Sequence, residues 1–214
     1  NGVVKLSERK GTVYFVANHS QNADWKTEVT TLDEFTKELV DGNEWKTDNL
    51  PMTGMLNLEG IGYEAAVSMK RAVARLDVDA SAYGVEVYDV TVSKLADRGF
   101  LWEQSGIATP ETAQKNDWST SFETPLKNVK QTLLYMSEQQ NSGLAVVVNV
   151  AFGGGMHELT AKLPEQIKRN TVYTLKVNGK GGKVQLSVTE DDWDEGVQSD
   201  AVENMKGLVD VDAS

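Results

Sequence analysis

Apolar residues recur along this chain in short runs, most of them alternating with polar residues as a strand half-buried on a core requires. Residues 11–18 hold Thr12, Val13, Tyr14, Phe15 and Val16 between a glycine and an asparagine, which predicts a buried strand. Residues 85–93 predict another, with Tyr88, Val90 and Val92 on one side and Val85 and Val87 on the other. Further runs lie at 132–136, 144–152 and 157–163. Residues 171–177 and 183–188 predict a hairpin across Asn178-Gly179-Lys180-Gly181-Gly182. In it Tyr173, Leu175 and Val177 share one face, as do Val184, Leu186 and Val188.

One segment reads clearly as a helix. Thr31 and Glu34 have the spacing of a capping box, Leu32, Phe35 and Leu39 recur at helical spacing, and Gly42 suits the left-handed turn at its end. The stretch 65–78 fits two periods. Ala66, Met69, Val73 and Leu76 make a helical face, whereas Ala72, Ala74, Leu76 and Val78 alternate; propensity alone favours the helix. Residues 103–128, rich in Glu, Gln, Ser, Thr and Asn and holding Pro110 and Pro125, break the pattern and mark a domain boundary. The expected division is 1–105 and 106–214.

At 214 residues, 40% hydrophobic and 25% charged, the chain has the composition of a globular protein with room for two cores. Its net charge of −11 repels phosphate backbones and anionic headgroups, which disfavours nucleic acid as a partner. No apolar run approaches the roughly 20 residues that span a bilayer. With no cysteine, disulfides, thiolate metal sites and cysteine nucleophiles are excluded.

Residues suited to chemistry are sparse. There are two histidines, His19 and His157, and neither has a nucleophile-elbow sequence beside it, so no catalytic residue is assigned. Asp191, Asp192, Asp194 and Glu195 cluster around Trp193 without the ligand spacing of a calcium loop, and read as a solvated strand end. Gly153-Gly154-Gly155 lacks the lysine of a phosphate loop and reads as a turn. Leu50-Pro51-Met52-Thr53-Gly54 matches a sortase signal in letters but lies mid-chain, and Asn18-His19-Ser20 matches a glycosylation acceptor. Trp25, Trp45, Trp102, Trp118 and Trp193 are expected to pack in cores, with sugar stacking as the alternative. No metal or cofactor site is assigned.

Several segments, in order, resemble the FimA-like fimbrillins of Bacteroidales, the major and minor subunits of type V pili. They are residues 12–18, 31–35, 50–54, 69–78, 133–139, 167–175 and 184–193. The resemblance implies an all-β chain of two tandem transthyretin-like Greek-key sandwiches with one short helix, and it makes residues 66–78 a strand. It also implies a non-enzymatic structural or accessory subunit of a cell-surface fimbria, acting in adhesion, with a tip adhesin or glycan-binding module as the alternative. Its partners would be other fimbrial subunits, joined by strand exchange, and a surface receptor.

The same resemblance implies a lipoprotein precursor exported to the outer membrane, touching the bilayer only through its lipid anchor. An export signal, a lipid-bearing cysteine and first strands are expected to precede a segment like 11–18, yet only ten residues do, so the chain is expected to be N-terminally incomplete. In this family a C-terminal extension donates a strand. Here that candidate is the segment 202–211, with Val202, Met205, Leu208, Val209 and Val211 as its apolar positions; the plainer alternative is an edge strand of its own domain.

Overall fold

The computed structural model describes residues 3–5, 10–19, 31–41, 49–60, 64–180, 182–193 and 207–210. In chain order the elements are β1 (Val3–Lys5), β2 (Thr12–Ala17), α1 (Leu32–Thr36), β3 (Leu39–Asp41), β4 (Met52–Asn57), β5 (Glu64–Val67), β6 (Lys70–Arg71), β7 (Val73–Asp79), β8 (Glu86–Ala96) and β9 (Arg98–Phe100). They continue as β10 (Lys115–Leu126), β11 (Lys130–Ser137), β12 (Gln139–Gln140), β13 (Ala145–Phe152), β14 (Gly155–Lys162), β15 (Gln166–Ile167), β16 (Thr171–Lys180), β17 (Lys183–Asp192) and β18 (Gly207–Asp210).

Eight strands build a sandwich of two four-stranded sheets, ordered β11-β7-β16-β17 and β10-β8-β13-β14. The chain crosses between sheets from β7 to β8, pairs β8 with β10, and returns so that β11 lies beside β7. That return is a Greek key, closed by the parallel pairing of β7 with β16. Between the sheets lies one cluster of aliphatic side chains around the ring of Tyr173, including Leu76, Val90, Val148 and Leu175, all fully buried. Among the described residues the fold is all-β with a single short helix, as expected.

The hairpin of β16 and β17 has the predicted faces, with Tyr173, Leu175 and Val177 buried and Val184, Leu186 and Val188 packed partly against the same core. Residues 66–78 are not helical: they run through the end of β5, β6 and β7, so the stretch is extended as the family resemblance implies but broken into three strands instead of one. β7 is paired along its length with β11 and over Arg75–Asp79 with β16, an outcome tertiary pairing decides.

Two expectations need correction. Val85, Val87, Val90 and Val92 are all buried, so β8 does not split them between faces as strict alternation required. The register against β13 shifts between Asn149 and Val150, pairing Asn149 with Asp89 but Val150 with Val87, and this bulge returns Val90 to the core side. Leu39 is not helical: it opens β3 and pairs with Phe100 of β9. The helix stops at Thr36 with Lys37 as its cap, and Gly42 lies outside the described residues. Its start follows prediction, with the reciprocal Thr31 and Glu34 bonds of a capping box.

The polar stretch 103–128 contains β10, the longest strand, whose Trp118 and Phe122 reach the core while its other face meets solvent. Strands on both sides of residue 105 share the two large sheets, since β7 and β8 are their inner members. The N-terminal segment forms three smaller sheets, β2-β4-β6, β3-β9 and β1-β18-β5. There Phe35 packs edge-on against Tyr14 at 5.6 Å and tilted against Trp102 at 4.9 Å, over a cluster with Val40, Ala72 and Leu101.

Candidate assembly site

Within the segment expected to donate a strand, Gly207–Asp210 form β18. β18 lies between two others, parallel to β1 and antiparallel to β5. Leu208 stands opposite Val3 and Ala66, and Val209 opposite Val4 and Ala65. Val202, Met205 and Val211 lie outside the described residues. A middle strand has both backbone edges satisfied; withdrawing it leaves β1 and β5 about 10 Å apart with facing rows of unpaired N–H and C=O groups.

The layer behind β5 is tight. Val67 is buried against Phe15, Leu56 and Met69, and β4 runs so close that a β-carbon at Gly54 would lie 2.9 Å from the Ser68 carbonyl oxygen and 2.9 Å from Val67 Cγ1. Only a residue without a side chain lets these strands approach that closely.

Two contacts tie this N-terminal part to the sandwich. Arg169, 7% exposed, pairs with buried Glu138 through Nε at 3.1 Å and Nη2 at 3.1 Å. Nη1 donates to the Leu101 carbonyl at 2.9 Å, and Nη2 is shared with the carbonyls of Phe100 and Trp102 at 3.0 and 3.1 Å. A buried guanidinium is tolerated because its carboxylate partner and these carbonyls replace the water it has lost. The second contact is Trp193, which follows β17 where the tail begins. Its ring stacks on Tyr135 at 5.8 Å, and the guanidinium carbons of Arg71 and Arg75 lie over it at 4.6 and 5.0 Å. Arg75 is oriented by Asp77, itself buried and bonded by Thr132. Trp193 N–H also donates to the Asn170 carbonyl at 3.1 Å, so the root of the tail is clamped.

No protein-family profile matches the chain, and no curated protein matches it. Solved structures do. A candidate cell adhesion protein of Parabacteroides distasonis superposes with a TM-score of 0.61 at 18% identity, over 86% of this chain and 76% of that one. The tip fimbrial protein of Porphyromonas gingivalis, truncated at its C-terminus, gives 0.56 at 13% identity, over 85% and 80%. A fimbrial assembly protein of P. distasonis gives 0.53 at 16% identity, over 84% and 71%. The fold is one that these fimbrial and cell adhesion proteins share.

On this shared fold the other sequence candidates scatter. His19 lies 3.8 Å from Glu38 in the N-terminal part, while His157 sits in β14 against the Phe152 carbonyl at 3.2 Å. Among the described residues no three His, Cys, Asp or Glu side chains converge as metal ligands. Asp191 and Asp192 are exposed at the end of β17, and Asp194 and Glu195 lie outside the described residues. Gly153 and Gly154, both with positive φ, make the turn from β13 to β14, as read.

Leu50, Pro51, Met52, Thr53 and Gly54 are buried in and before β4, where no enzyme reaches the sortase-like letters. The Asn18 amide donates to the Leu50 carbonyl at 3.1 Å. Trp102 and Trp193 are buried and Trp118 packs partly on the core, while Trp25 and Trp45 lie outside the described residues. An open hollow of about 350 Å³ between β15 and β17 is polar, and Lys168 and Glu190 in its wall pair with each other at 2.7 Å. No described helix is long and apolar enough to cross a membrane.

The Arg169 and Glu138 pair escaped sequence reading. Each sits at a strand end in a polar neighbourhood, and nothing local distinguishes such a charge from a solvated one. The only usable signal is that both segments, 133–139 and 167–175, belong to the fimbrillin resemblance.

Proposed function

We propose that the chain is a structural or accessory subunit of a cell-surface fimbria, acting in adhesion and joining its neighbours by β-strand addition. The observation that carries this reading is β18: a tail segment inserted between β1 and β5 and held on both edges by backbone ladders. Backbone pairing is indifferent to which copy supplies the strand, so the bonds made within one chain are available between two, as in a domain swap. The fold shared with fimbrial proteins supports the same reading. The chain acts as part of an exported lipoprotein whose mature form stands at the outer-membrane surface, with other fimbrial subunits as its partners and no chemistry of its own.

Deleting residues 199–214 tests this. The truncated subunit is expected to fold but to be missing from fimbriae sheared from producing cells; incorporation at the full level would refute strand donation by the tail. A second reading, a tip adhesin that binds a surface glycan, draws on Tyr83, a residue that is 96% exposed. Saturable sugar binding lost in Tyr83→Ala would favour it.

A further inference from the structure

Four turns of the sandwich lie together at the pole opposite the Arg169 contact. Register places them there: Asp79 pairs with both Lys130 and Lys176, Ala151 with Glu86, and Leu126 with Val87. Gly179 of the β16–β17 hairpin lies close against the Phe152 ring of the β13–β14 hairpin. Three of the five exposed large apolar side chains among the described residues stand on these turns: Tyr83 at 96%, Met156 at 61% and Val129 at 36%. Beside them Lys127, Lys130, Lys176 and Lys183 stand against Asp77, Asp79 and Glu86; Lys127 pairs with Glu86 at 3.3 Å and Lys130 with Asp77 at 3.5 Å, which leaves these groups a small basic excess on a chain of net charge −11.

The N-terminal part carries the complement. Leu32, 59% exposed, opens α1, and within residues 31–41 the carboxylates of Asp33, Glu34, Glu38 and Asp41 face a single lysine, Lys37. An apolar centre with a basic rim on one surface and an acidic rim on the other is the pattern of a complementary interface.

We propose that the turn pole of one copy docks on the Leu32 surface of a second copy, with Tyr83 and Met156 against Leu32 and the pole lysines facing the acidic rim. The two surfaces differ, so the contact is heterologous and repeats into an open row. It also offsets, at the point of contact, the mutual repulsion of two acidic bodies. This inference rests on the fimbrial reading and adds to it the surface that seats one subunit on the next while the strand links them.

The absence of cysteine supplies the test. A Tyr83→Cys copy and a Leu32→Cys copy of the full chain, tagged to differ in size, are mixed under mild oxidation; both positions are exposed, so folding is preserved. The expected product is the mixed disulfide dimer in large excess over either like pair, weakening as salt rises. Adding Lys127→Glu and Lys183→Glu to the first copy should lower the mixed dimer about tenfold, and Asp33→Lys with Asp41→Lys on the second should restore it. Like pairs as abundant as the mixed one, or no rescue, would overturn the docking. Sugar binding lost in Tyr83→Cys with no mixed dimer would also overturn it, in favour of a receptor surface. If the dimer fails while incorporation still needs residues 199–214, only this contact falls; if incorporation also ignores the tail, the fimbrial reading falls with it.

Discussion

The sandwich and the N-terminal sheets are built from the same kind of strand but hold themselves together differently. Among the described residues the sandwich gathers nineteen buried apolar residues in one cluster, whereas the N-terminal clusters over α1 and behind β5 count four and one. Burial is the main source of stability, so the sandwich is self-sufficient and the N-terminal part depends on what it borrows. It borrows the carbonyl clamp of Arg169, the Trp193 ring under Arg71 and the tail strand. The small sheet that needs an inserted strand is therefore the part suited to exchange it.

Arg169→Ala should sharpen this contrast most. It strips Glu138 and three backbone carbonyls of their buried partner, at a cost of about 3–5 kcal/mol. Urea unfolding followed at Trp102 should shift to lower denaturant than unfolding followed at Trp118 in the sandwich. Coincident shifts would mean that the two parts fold as one unit. Gly54→Ala comes next: its methyl group meets backbone at Ser68, costing about 1–3 kcal/mol. The loss should appear as faster amide exchange in β5 with β16 unchanged.

A smaller effect concerns the sandwich alone. Burial pushes the Tyr173 hydroxyl up to about 12, opposed by the bond from the Lys168 N–H and reinforced by Glu190 and Glu138. The folded state thus holds this proton more tightly than the unfolded chain. The contribution is present in full below the ordinary value near 10, and about 2 kcal/mol is lost as pH rises toward 12. Tyr173→Phe should flatten that alkaline slope in a urea titration, while costing about 1 kcal/mol at neutral pH for the lost bonds.

The same division governs what was legible beforehand. Strand 183–188, with one face toward the core, announces itself by alternation, and 171–177 does so through Tyr173, Leu175 and Val177 although Val172 and Thr174 on its other face are buried too. Where residues on both faces are buried, as in β7, local spacing also fits a helix, and only partner strands decide the outcome. The β8 faces were misread because a bulge depends on its partner strand, and an alternation rule contains no partner. The stretch 103–128 interrupts the apolar pattern because the outward face of edge strand β10 is polar. Leu39 joined the helix on spacing and left it because Phe100, about sixty residues away, offered a ladder. In the assembly site the tail's apolar positions were visible, but the slot that receives Leu208 and Val209 is made by β1 and β5 and exists only in the folded chain.

Backbone amide exchange across β5 tests the central claim most directly. In the complete chain the amides of residues 65–67 should be protected by β18. Removing residues 199–214 should expose them, and adding a peptide of those residues should restore protection while the amides of β16 stay constant throughout. Unchanged protection of β5 after the deletion would contradict the account, because the tail would then not be the strand that fills the slot.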